Sequence, residues 1–138
     1  MSEQVSKHLP VPTPETAPYW EGCRKHELLI QRCDDCGEHQ FYPRSVCGKC
    51  MSGKLEWVRA SGRGRVVSYT VMHRAVSDAY AAEAGDPLVL VDLEEGPRMM
   101  SRVVGCDLAR LEIGMAVEVV FDDWSKEISI PKFRPLDI

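Results

Sequence analysis

Four of the six cysteines in this chain fall within the twenty residues QRCDDCGEHQFYPRSVCGKC, Gln31 to Cys50. They form two CxxC pairs, Cys33/Cys36 and Cys47/Cys50, with ten residues between them. A segment this short cannot bury enough apolar surface to hold itself folded. Two CxxC pairs answer that problem directly. Zinc takes four thiolates tetrahedrally, and structural zinc contributes on the order of 10–16 kcal/mol apparent in finger peptides. The spacing therefore predicts a zinc ribbon, each pair gripping the metal from a tight knuckle. Gly37, after the first pair, and Gly48, inside the second, are expected to relax the backbone where it turns. Knuckle amides that point at the sulfurs are expected to stabilise thiolate charge.

The rival uses of such cysteines fit less well. A thioredoxin-like redox pair needs a single CxxC beside a βαβ unit, and none is visible. A catalytic zinc needs an open coordination position, which four cysteines close. His39 lies between the pairs but is superfluous as a ligand. Cys23 and Cys106 stand outside the set and read as small buried hydrophobes.

The remainder of the chain has β texture. A proline-rich arm leads to TPETAPYWEGCRKHEL, which reads as a short helix with Thr13 as N-cap, Pro14 in its first turn, and Tyr19, Trp20 and Cys23 on one face. ELLIQRC, HQFYPRSVC and KLEWVRASG are strand-like runs around the cysteines. Five more follow: RGRVVSYTVMHRA, PLVLVDLEE, PRMMSRVVG, MAVEVVFDD and EISIPKFRP, with CDLARLEIG, room for one helical turn, between the third and fourth. DDWSKE reads as a hairpin turn with Trp124 packed on the barrel. Five strands interrupted at that point predict an OB-fold barrel. The fold class is thus mostly β: an N-terminal arm and helix (1–26), a four-cysteine zinc ribbon (27–60) and a five-stranded OB-fold (61–138).

Charge narrows the function. The net charge is −4, whereas a nucleic-acid surface needs a stripe of cations against phosphates. Single-stranded nucleic-acid binding by the barrel remains the alternative, with only Tyr69, His73 and Arg74 to support it. No run approaches the roughly 18 apolar residues of a membrane span. The polar, proline-rich start has no apolar stretch of the signal-peptide kind, which predicts the cytoplasm. No Ser-His-Asp, HExxH or paired-carboxylate pattern argues for self-contained catalysis. Phe41, Tyr42 and Arg44, between the cysteine pairs, offer either cover for the ribbon or a rigid surface for a phosphate-bearing ligand or partner. Arg63 and Arg65 enter the first barrel strand in SGRGRVVSYT, which is not a P-loop. The alanine-rich connection over 75–86 is long enough to meet a partner.

Taken together, YWEG, the cysteine stretch with its C-x2-C-G, F-x-P-R, C-x2-C order, GRGRVVSYT, PLVLVDLEEGPRMMSRVVG, IGMAVEVVF and FRP resemble the DUF35 family. The match runs almost end to end, with one departure, Ala116 where the family often has proline. The resemblance implies a rubredoxin-like zinc ribbon with a structural zinc and a C-terminal OB-fold. It also implies an accessory, non-catalytic subunit that accompanies a thiolase-like protein in acyl-CoA thiolase, synthase, hydratase or retro-aldolase complexes. There the thiolase partner supplies the cysteine nucleophile and histidines, and the DUF35 chain helps complete the site for a CoA thioester. Phe41, Tyr42, Arg44, Arg63 and Arg65 are the expected CoA- or partner-contacting residues.

Overall fold

The computed structural model describes residues 9–71 and 87–136. The expectations placed on His73, Arg74 and the 75–86 connection lie outside the described residues. Among the described residues one helix, α1 (Ala17–Arg24), precedes eight strands: β1 (Leu29–Cys33), β2 (His39–Gln40), β3 (Leu55–Arg59), β4 (Arg63–Val71), β5 (Pro87–Leu93), β6 (Arg98–Arg102), β7 (Ala116–Asp123) and β8 (Ser129–Pro135). A single 3-10 turn, Leu108–Arg110, sits between β6 and β7.

The helix begins three residues later than the sequence suggests. Thr13 caps a turn rather than the helix: its carbonyl accepts from the N–H of Thr16 and Ala17, at 3.0 and 2.7 Å, and its hydroxyl accepts from the Thr16 N–H. Thr16 is the N-cap and makes no side-chain cap bond, and Pro18 occupies the first helical turn, where its missing N–H costs nothing. The expected face holds: Tyr19 and Cys23 are buried, and Trp20 packs against the same core.

Two antiparallel sheets follow. The small one runs β2-β1-β3 and the large one β6-β5-β4-β7-β8. In β5 burial alternates strictly, with Pro87, Val89, Val91 and Leu93 inward, the period-2 signature of a half-buried strand. The large sheet curls until its edges meet. Val103 bridges Phe133 in parallel, the Val104 N–H donates to the Phe133 carbonyl at 2.8 Å, and the Ser101 hydroxyl donates to the Pro131 carbonyl at 2.8 Å. The result is a nearly closed five-stranded barrel with its short helical turn between the third and fourth barrel strands, the architecture the strand pattern predicts. β4 begins against both neighbours: Gly64 faces Leu93 on one side and Val117 on the other. An added Cβ there would lie 2.5 Å from the Asp92 carbonyl oxygen and 2.6 Å from Val91 Cγ1, so only glycine lets these backbones approach.

One core joins the parts. Tyr19, Cys23, Leu28 and Ile30 from the helix and ribbon cluster with Val66, Val91, Met99 and Phe133 from the barrel, and α1 contacts both β1 and β8. At the helix C-terminal end the His26 ring stacks on Phe121 at 5.1 Å, and its Nε2 lies 2.8 Å from Asp123 Oδ1. The same carboxylate accepts from the Ser129 hydroxyl.

The run HQFYPRSVC forms strand only at His39–Gln40. Beyond it the backbone is satisfied by side chains instead of a ladder. Gln31 Nε2 donates to the Arg44 carbonyl at 2.8 Å and Gln31 Oε1 accepts from the Arg44 N–H at 2.9 Å. Gln40 Nε2 donates to the Val46 carbonyl at 3.4 Å, and Gln40 Oε1 accepts from the Gly48 N–H at 2.9 Å.

Candidate metal centre and adjoining groove

The ribbon brings its four thiols together. All four Sγ atoms of Cys33, Cys36, Cys47 and Cys50 lie within 4.8 Å of one another, with Cys33–Cys50 at 3.5 Å and Cys36–Cys47 at 3.6 Å. A tetrahedron with Zn–S bonds of about 2.3 Å has edges of about 3.8 Å, while a disulfide requires about 2.05 Å. The spacing is that of a metal cage. Cys33 and Cys47 are buried; Cys36 and Cys50 face solvent.

The two knuckles repeat one backbone pattern. Gly37 N–H donates to the Cys33 carbonyl at 2.8 Å, and Met51 N–H to the Cys47 carbonyl at 3.0 Å. The Cys33 and Cys47 N–H groups in turn donate to Glu38 and Ser52, at 2.9 and 2.8 Å. Each knuckle ends in a left-handed residue: Gly37 at φ 76° and Met51 at φ 66°. Gly48 was expected to supply the second knuckle's freedom. Met51 takes the left-handed position instead, and Gly48 serves through its N–H to Gln40.

Electrostatics agree with a bound dication. The N–H groups of Cys50 and then Lys49 draw the Cys47 thiol down to about 6, and the Cys36 N–H leads in lowering Cys33. Cys50 accepts from the Ser52 N–H, yet sharing a hydrogen bond with Cys33 pushes its thiol up to about 12. Cys36 is also raised: the bond from the Glu38 N–H is outweighed by burial and by pairing with Cys47. Two of the four thiols are thus lowered and two raised. A zinc ion would let all four ionise. The donor set, spacing and amide pattern fit structural zinc, with no ligand position left open.

Two cysteines, Cys23 and Cys106, lie outside the cage. Burial pushes the Cys23 thiol up to about 11, partly offset by its hydrogen bond with Tyr19. Cys106 donates to the Asp107 carbonyl at 3.3 Å.

Beside the cage, where helix, ribbon and barrel meet, lies a groove of about 520 Å³. Tyr19, Trp20, Phe41 and Tyr42 form one wall, and Met99, Met100, Trp124 and Ile130 belong to the barrel side. Phe41 packs edge-on against Tyr19 at 5.5 Å and tilts on Tyr42 at 4.6 Å; Tyr42 is 53% exposed. Two cations, Arg102 and Lys132, also line the groove. Lys132 is buried and its Nζ lies 2.7 Å from Asp122 Oδ2, which also accepts from the Trp124 indole N–H at 3.1 Å.

The structure therefore distributes the sequence-predicted contact residues over three places. Phe41 and Tyr42 line the groove. The Arg44 side chain extends past Gly48 at the second knuckle. Arg63 and Arg65 lie on the outer barrel face with Asp92 and Glu94, and Arg65 donates to the Gly114 carbonyl at 2.9 Å. Sequence reasoning missed Met99, Met100, Arg102 and Lys132 as groove residues. Their strands were visible, but the barrel closure that aims them at Phe41 pairs residues about thirty apart.

Comparison with known proteins follows the same architecture. Residues 20–56 match the model of the ChsH2 rubredoxin-like zinc ribbon domain, and residues 57–122 that of the ChsH2 C-terminal OB-fold domain. A DUF35 domain-containing scaffold protein of Methanothermobacter thermautotrophicus is 38% identical over 109 residues, covering 78% of this chain and 81% of that one. A "Probable enoyl-CoA hydratase alpha subunit" of Thermomonospora curvata is 34% identical over 137 residues, 97% of this chain; the chain spans 42% of that protein's length. A solved chain described as "Ltp2-ChsH2(DUF35) aldolase" is 32% identical and superposes with a TM-score of 0.81 over 91% of this chain and 98% of its own. With the caged thiols, the closed barrel and these matches in agreement, the chain belongs to the DUF35 family, a zinc ribbon joined to an OB-fold and homologous to the ChsH2 subunits of hydratase and aldolase complexes.

Proposed function

We propose that this chain is the accessory subunit of a thiolase-type acyl-CoA-processing complex. The observation that carries the reading is the near-complete superposition on the ChsH2 (DUF35) chain of an aldolase. Zinc is structural in this reading: it holds the 27–60 ribbon in its own fold and performs no chemistry. The partner, a thiolase-like subunit, supplies the nucleophile and the acid/base groups.

The groove is the surface on which the partner or the acyl portion of the thioester rests. Its aromatic wall offers apolar area at low entropic cost, since Phe41 and Tyr19 are already packed. Arg102 stands among the groove residues, while the Lys132 charge is already paired with Asp122. Arg44, Arg63 and Arg65 lie on other faces, where they would meet the CoA phosphates or the rim of the partner. The barrel carries Tyr69 and Met100 exposed on its outer surface, more apolar than the cation-and-aromatic stripe that single strands require.

Co-expression with a thiolase-like protein encoded beside it tests the reading. The expected result is a complex that survives gel filtration and turns over an acyl-CoA only when both chains are present, with Tyr42→Asp weakening assembly while zinc content stays unchanged. Turnover of an acyl-CoA by the isolated chain, or salt-sensitive retention of oligonucleotides without any partner association, would overturn it.

A further inference from the structure

The groove wall and the second cysteine knuckle are one continuous stretch, residues 41–50. Its front, Phe41 to Pro43, lines the groove; its end, Cys47 to Cys50, holds half of the metal cage. Between them the chain leaves the β-ladder after Gln40, and two glutamine side chains fix its path. Gln31 is only 4% exposed, yet both ends of its amide are engaged: Nε2 to the Arg44 carbonyl, Oε1 from the Arg44 N–H and from Gln40 Nε2 at 2.7 Å. Gln40 continues the chain to the Val46 carbonyl and to the N–H of Gly48, inside the second CxxC. A part-buried network of this kind, anchored on the buried Gln31, holds its members in register. If the knuckle shifts, Gly48 pulls on Gln40, Gln40 on Gln31, and Gln31 on the residue next to Pro43.

We propose that Gln31 and Gln40 are positioning residues that couple the zinc centre to the groove, so that metal occupancy sets the placement of the Phe41–Tyr42–Pro43 wall. Coupling between two sites is reciprocal. Filling the groove must therefore tighten the metal by the same factor by which the metal favours filling the groove. In the acyl-CoA reading, loss of zinc would release the partner surface without touching a catalytic residue. The coupling itself depends only on the groove's geometry, so its test is separate from that of the thiolase-like partner.

The test measures zinc transfer from the full-length chain to the chromophoric chelator 4-(2-pyridylazo)resorcinol, with and without saturating 1-anilinonaphthalene-8-sulfonate. The dye is an apolar anion whose energy transfer from Trp20 and Trp124 reads groove occupancy. At equilibrium the dye should tighten the apparent zinc affinity of the wild-type chain about fivefold or more, within the usual range of coupling between sites. Gln40→Ala, and separately Gln31→Met, should each retain about one zinc per chain and bind the dye, with the tightening reduced below about twofold. Glutamines with a purely structural role would lower zinc affinity or stability in both conditions alike and leave the ratio intact. An unchanged affinity ratio in either variant, or no tightening in the wild-type chain, would overturn the proposal.

Discussion

The two knuckles differ at one informative position, and that difference makes a signed prediction. Gly37 and Met51 hold equivalent places after their CxxC pairs, both with positive φ. The left-handed conformation costs an L-residue about 1–2 kcal/mol, and glycine returns about 0.5–1 kcal/mol of that through its extra freedom in the unfolded chain. Met51 is 72% exposed, so removing its side chain sacrifices little packing. Met51→Gly should therefore stabilise the knuckle by a net ~0.7 kcal/mol. Gly37→Ala is the converse. The nearest neighbour to an added Cβ is the Arg32 guanidinium at 3.7 Å, so no clash intervenes and the cost is conformational, a net ~0.7 kcal/mol in the other direction. Because the knuckles form their final geometry around the metal, these terms appear in zinc affinity, at about threefold each for a tenfold change per ~1.4 kcal/mol. Competitive titration against a chelator of known affinity reads both variants. Met51→Gly should tighten zinc and Gly37→Ala should loosen it. A loosened Met51→Gly, or two variants shifting together, would refute the assignment of strain to Met51.

Gly64→Ala should destabilise the barrel by about 1–3 kcal/mol, the cost of overpacking, because the new Cβ meets the backbone of β5; an unchanged urea midpoint would contradict it. Chelation of zinc should abolish ribbon structure, while the separately hydrogen-bonded sheet of β4–β8 keeps its circular dichroism; loss of both in one step would show that the barrel depends on the metal. Acid should loosen the junction between helix and barrel. The Asp123 carboxyl is held below its usual value by the Ser129 hydroxyl and then by His26, so its contribution is present above the unfolded carboxyl pKa of about 3.9 and is lost as pH falls through the folded value. Asp123→Asn should flatten that part of the stability–pH curve, and an unaltered curve would count against it.

Much of this molecule is legible in its sequence because the signals are local. The metal cage follows from two CxxC pairs, whose thiols cannot be far apart once each knuckle closes. The barrel strands follow from short apolar, β-branched-rich runs bounded by turn residues, such as PLVLVDL, and the helical turn between β6 and β7 from CDLARLEIG. Local competition defeated the reading elsewhere. Thr13 and Thr16 both had the chemistry of a cap, and their mutual hydrogen bonds gave the first the turn and the second the helix. HQFYPRSVC had strand composition, but Gln31, thirteen residues before Arg44, claimed the backbone groups that a ladder would have used.

The groove belongs to the second kind of information. Phe41 and Tyr42 stood out in the sequence, but their company did not. Met99, Met100, Trp124 and Lys132 reach them only because β6 and β8 close the barrel and α1 packs across β1 and β8. Likewise the arginines grouped by type in the sequence are separated in space, Arg44 at the knuckle and Arg63 and Arg65 on the outer barrel face. The sequence by itself determined the ligands, the strands and the family resemblance, since each is written in contiguous residues of fixed period or spacing. Only the tertiary structure decided which apolar and charged side chains share one surface. That depends on the closure of the barrel and the docking of the helix, in which residues distant along the chain come to bury one another's apolar area.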